Sequence, residues 1–106
     1  MPDELTKDAD KMLCILYKEY QDRRKAGQTK AEAKSIDESY FHNSKPFRSM
    51  AFEDVLDTMS EISRAEYIEM DLSGNCFLKD KAIAYLESRF KKKLSATWSV
   101  VSKFLP

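Results

Sequence analysis

The chain has one histidine, one tryptophan, two cysteines, two glycines and three prolines among its 106 residues. Each scarcity excludes something. A lone His42 removes most acid–base and metal-ligand constellations, because imidazoles at such sites work with partners of matched type and Asn43 and Ser44 are not a ligand set. A structural or solvent-exposed His42 is the expectation. Cys14 and Cys76 stand in separate apolar segments without CxxC spacing, which suits two buried, reduced thiols better than a redox pair or a zinc site. So little glycine and proline leaves few tight turns and favours a mostly helical chain. There is no GxSxG, P-loop, GxGxxG or HExxH pattern, so an enzyme is not expected and no cofactor is called for. No apolar run approaches the ~18 residues a membrane span needs, and no charged-then-apolar leader is visible. The expectation is a cytoplasmic protein that makes no membrane contact. Eighteen basic and eighteen acidic side chains cancel, so any electrostatic function must come from local segregation of charge.

What is present is organised around Tyr67 to Phe90, YIEMDLSGNCFLKDKAIAYLESRF. Ile68, Met70 and Leu72 alternate with Glu69, Asp71 and Ser73, the period-2 pattern of a half-buried strand. Ser73-Gly74-Asn75 supplies turn chemistry and Cys76-Phe77-Leu78 a short return strand. At Asp80 the pattern becomes helical up to about Lys93, with Ile83, Leu86 and Phe90 as the buried stripe.

Upstream, a helix is expected from Asp3 to Ala26, with Thr6 as N-cap and Gly27 closing it; Ala9, Met12, Leu13, Leu16 and Tyr20 form its apolar side. A second helix is expected from Gln28 to Ile36, opened by a Thr29/Glu32 capping box. Asp37 to Arg48 reads as a loop held by Tyr40, Phe41 and Phe47. A third helix is expected from Ser49, its N-cap, to Ala65, burying Phe52, Val55, Leu56, Met59 and Ile62. The length suits one domain over 1–106, with 94–106 as an amphipathic C-terminal extension that carries Leu94, Trp98, Val101 and Leu105 at helical spacing.

The order helix, short helix, longer helix, hairpin, helix resembles a winged helix-turn-helix domain over nearly the whole chain. The passage YIEMDLSGNCFLKDKAIAYLE is similar to the ending of many bacterial winged-helix proteins, with Leu78, Ala82, Ile83, Tyr85 and Leu86 in the places of their helix start. The nearest resemblance is to small uncharacterised winged-helix proteins of Gram-positive bacteria and their phages, the YjcQ-like group among them. It implies a mainly α fold with a small β-hairpin: a three-helix core, a short wing and a C-terminal helix. Lys79-Asp80 replaces the usual threonine before the last helix, and so short a wing reaches little DNA.

By that resemblance the helix before the wing would enter the major groove. From Ser49 to Cys76, however, seven carboxylates face Arg64 alone, a net charge of minus six, which a polyanion repels. Two readings stay open. One is a non-enzymatic module acting through protein contact or self-association, for which Glu53, Asp54, Asp57, Glu61, Trp98, Val101 and Leu105 are the expected surface; by resemblance, a homodimer is favoured. The other is a regulator of double-stranded DNA that contacts phosphates through Arg23, Arg24, Lys25, Arg89, Lys91, Lys92 and Lys93. The bland alternatives are cations satisfying the negative ends of helices and a solvated acidic face.

Overall fold

A computed structural model describes residues 5–94, with side chains through residue 90. In chain order the elements are α1 (Lys7–Lys25), α2 (Lys30–Lys34), β1 (Ser35–Ile36), α3 (Glu38–Asn43), α4 (Lys45–Arg48), α5 (Phe52–Arg64), β2 (Ile68–Met70), β3 (Cys76–Leu78) and α6 (Asp80–Leu94). The described part is mainly helical with a small antiparallel sheet of order β1-β3-β2. Of the extension expected at 94–106, Leu94 ends α6 and residues 95–106 lie outside the described residues.

Local chemistry sets both ends of α1. Thr6 is extended and its Oγ1 accepts the Ala9 N–H. Gly27, at φ 98°, takes the left-handed conformation that lets the Gln28 and Gly27 N–H groups bond the Arg23 and Arg24 carbonyls, both at 3.1 Å. Between them Ala9, Met12, Leu13, Leu16, Tyr17 and Tyr20 are buried, at the spacing expected of one helix face. The Thr29/Glu32 capping box forms at α2 as expected.

That second helix is nevertheless shorter than its sequence suggests. Ser35 and Ile36 leave it to pair with β3, Ser35 opposite Phe77 and Ile36 opposite Cys76, which buries the β-branched Ile36. The expected loop at 37–48 is also corrected: it holds α3 and α4. Phe41 and Phe47 are buried with ring centroids 5.2 Å apart, and Tyr40 packs edge-on to both. Packing of this aromatic trio against the core overrides the weak local helix propensity of the segment. Ser49 ends α4 rather than opening the third helix, which begins at Phe52 with Ala51 as an N-cap that makes no side-chain bond.

The core-facing stripe of α5 is as expected: Val55, Met59 and Ile62 are buried, with Phe52 and Leu56 packed at their flank. In the hairpin Ile68 pairs with Leu78, Glu69 with Phe77 and Met70 with Cys76. Leu72, expected to point inward, is fully exposed at 100%. The strand stops at Met70 because the Asp71 carboxylate turns the chain, accepting the Ser73 and Asn75 N–H groups at 2.9 and 3.1 Å and the Asn75 Nδ2 at 3.0 Å. Gly74 (φ 99°) is buried at the tip, where a Cβ would stand 2.8 Å from Phe52 Cζ. Asn75 Oδ1 accepts the Glu38 N–H at 2.9 Å, capping α3 in place of Asp37, whose side chain makes no cap. The hairpin tip is thus seated on the start of α3 and the flank of α5. Finally α6 buries Ala82, Ile83 and Leu86, and stacks Phe90 on Tyr17 of α1 at 5.9 Å.

Candidate functional site

Of the seven cations expected to face a phosphate backbone, Arg23, Arg24 and Arg89 are committed within the chain. Arg23 donates to Glu19 and to the Ser35 carbonyl, each at 2.7 Å, and so ties α1 to β1. Arg24 donates to the Gln28 carbonyl at 2.9 Å, bracing the turn that ends α1. Arg89 reaches 79 positions back to grip the Asp10 carboxylate with both terminal nitrogens. That bidentate pair raises the Arg89 pKa further, so its charge is permanent and already matched. Lys25 is exposed. Lys91, Lys92 and Lys93 lie in the last turns of α6, and their side chains fall outside the described residues.

Among the described side chains the two basic stretches do not meet. Arg89 sits beside Asp10, whereas Arg23 to Lys25 stand 13 to 15 positions further along α1, roughly 20 Å at 1.5 Å per residue.

The acidic residues are less committed. Glu53 and Asp54 occupy the first turn of α5, where they complement its positive end, and both are exposed, as is Asp57 one turn on. Glu61 differs, because its two carboxylate oxygens accept the Thr6 N–H and hydroxyl at 2.8 Å each. It clamps the start of α1 to α5, so its part in any outward surface is limited. Trp98, Val101 and Leu105 lie outside the described residues.

Two hollows complete the surface. The outer face of the sheet carries Ser35, Phe77 and Glu69 in one row across its three strands. With Asp37, Asp71 and Asn75 it bounds an open depression of about 580 Å³. Phe77 is 37% exposed there, with the Lys34 ammonium 5.8 Å from its ring centre, and Lys34 is also paired with Asp80. The second hollow, about 440 Å³, runs between α5 and the hairpin and is lined by Ser60, Ser63, Met70, Asp71 and Leu72. Sequence reasoning missed both. The first depends on β1, and the second on the strand ending at Met70 while the alternation in the sequence runs on through Leu72.

The remaining chemistry-bearing side chains are structural in their surroundings. His42 stacks on Phe52 with centroids 4.2 Å apart, half exposed, its Nε2 3.8 Å from Glu38. Burial pushes the Cys76 thiol up to about 12, far from the range of a working nucleophile, and Cys14 is partly buried. Among the described residues no group of three or more His, Cys, Asp or Glu side chains is placed to hold a metal ion, and no helix is long and apolar enough to cross a membrane. The chain matches no protein-family model, no curated protein and no solved structure.

Proposed function

We propose that this chain is a non-enzymatic winged-helix module that works through protein contact or self-association. The order of elements supports the winged-helix assignment: a helical core, then a two-stranded hairpin, then a closing helix, with β1 completing the sheet. The observation that carries the functional reading is the allocation of charge. Arg23, Arg24 and Arg89 spend their donors on Glu19, Ser35, Gln28 and Asp10, while Glu53, Asp54 and Asp57 stay exposed on the helix that precedes the hairpin. Affinity for DNA scales with the phosphates a protein neutralises, so a helix presenting three carboxylates is repelled from the groove it would have to enter. The seating of the hairpin tip on α3 and α5 argues the same way, since a wing folded back on its own helices has little reach.

An anisotropy titration against a labelled mixed-sequence duplex, at low and at near-physiological salt, tests the reading. No saturable binding at low salt is the expected result. Saturable binding that weakens steeply with salt, and that is lost on reversing the charge of Lys91 to Lys93, would overturn it in favour of a DNA-binding regulator.

A further inference from the structure

We propose that the hollow between α5 and the hairpin receives the basic, apolar C-terminal segment, residues 91–106, of a second copy of this chain. The proposal rests on the reading of the chain as an interaction module and names its partner.

The hollow is mainly apolar and carries one carboxylate, Asp71, in its lining. Met70 and Leu72 form its hairpin wall, and Leu72 is fully exposed, with no apolar cover among the described residues. On the α5 side Ser60 donates its hydroxyl to the Leu56 carbonyl at 2.9 Å and brings it to 3.7 Å from the Met70 sulfur, so the hydroxyl is already partnered within the chain. Glu53, Asp57, Ser60 and Arg64 follow one another at steps of four, three and four, and therefore share one strip of the helix surface. Asp71 lines the hollow itself, and Glu53 and Asp57 lie on the strip of α5 that carries Ser60, about two turns and one turn before it.

An occupant must bring apolar anchors and positive charge without carboxylates. The stretch KKKLSATWSVVSKFLP, residues 91–106, has four lysines and no acid, and places Leu94, Trp98, Val101 and Leu105 at steps of four, three and four. The other basic stretch, at Arg23 to Lys25, has two of its three cations bonded within the chain. A second copy is favoured over the chain's own tail by direction. The tail departs beyond Arg89, which is held beside Asp10 in the first part of α1. On α5 the start of α1 is marked by Glu61, which projects about 100° from Ser60 and about 160° from Ser63 at 3.6 residues per turn. The chain's own segment would have to pass around α5, whereas two copies exchanging segments close a twofold pair without that detour.

Trp98 is the only tryptophan, so the emission of the full chain reports on this segment alone. The test is that emission over a wide dilution series, alongside sedimentation equilibrium, for the natural chain and for Leu72→Glu and Asp57→Lys. The expected result is blue-shifted emission at high concentration that moves red on dilution, in step with dissociation of a dimer. Leu72→Glu alters a fully exposed side chain, so the far-ultraviolet circular dichroism should be unchanged while the dimer weakens by about tenfold or more. Asp57→Lys should weaken it by less, and should reduce its sensitivity to salt. A dimer indifferent to Leu72→Glu would overturn the assignment of the hollow and leave the self-association reading standing. Blue emission from a monomer at every dilution would place the segment on its own chain and overturn the second-copy proposal. A monomer with solvent-exposed emission throughout would refute docking in either form, and the protein-contact reading would then stand or fall on the duplex titration.

Discussion

Alanine in place of Gly74 measures how firmly the hairpin tip is held against α5. Two costs arise there. The residue sits at φ 99°, where a Cβ is strained by about 1 kcal/mol. The same Cβ would stand 2.8 Å from Phe52 Cζ, with Glu38 Cβ and Leu56 Cδ2 both at 3.5 Å behind it. Phe52 presents the far end of a partly buried side chain and can swing, so the overlap belongs at the lower end of the overpacking range, about 1–2 kcal/mol. The expected loss is therefore about 2–3 kcal/mol, a large share of the stability of a small domain. Gly27 provides the matched control: its φ is 98° and a Cβ there meets nothing within 4 Å, so Gly27→Ala carries only the backbone strain of about 1 kcal/mol. Urea denaturation followed by circular dichroism, at one protein concentration and with equal m-values, gives both losses. Equal losses for the two variants would refute the seating of the hairpin on α5.

Three further outcomes follow from the packing and the charges. Met59→Ala, at a side chain with no exposure, should destabilise by about 2–5 kcal/mol in the same assay, and a loss under about 1 kcal/mol would remove Met59 from the core. The Asn75 amide and the Ser73 and Asn75 N–H groups hold the Asp71 carboxyl below its ordinary 3.8, so its contribution is complete above that value and is lost as the pH falls through the folded value; Asp71→Asn should flatten the acid limb of a urea-midpoint profile taken between about pH 5 and pH 2. The Cys76 thiol, raised to about 12 by burial, should resist a thiol reagent at mildly alkaline pH in the folded chain and react at once in urea; prompt reaction when folded would show that the centre of the sheet is open.

What could be read from the sequence was mostly what neighbouring residues decide among themselves. The Thr6 cap, the Gly27 terminus, the Thr29/Glu32 box and the Val55–Met59–Ile62 stripe each involve partners within a few positions, and each is where the pattern places it. β1 escaped because two residues make no pattern and its partner strand begins 40 positions later. The helices at 38–48 escaped because Tyr40, Phe41 and Phe47 hold them by packing against one another. Leu72 was misplaced because alternation continues in the letters after Asp71 has already turned the backbone. For the candidate surface, the sign of each charge was legible but not its commitment. Arg89 with Asp10, Arg23 with Ser35, and Glu61 with Thr6 are pairings set by the tertiary fold, and they decide which charges are left uncommitted at the surface.

The central place of β3 in the sheet has a consequence for synthesis. β1 and β2 both hydrogen-bond to β3 and not to each other, yet β3 is made last of the three. A chain that exposes Met70 but not yet Cys76 therefore carries two strands without their sheet partner, and neither can pair until β3 is free to enter between them. The Asp71–Asn75 turn, made of contacts at most four residues apart, can form as soon as it emerges and delivers β3 between its two waiting neighbours. Whatever removes β3 therefore takes the hydrogen-bond partner from both neighbouring strands at once.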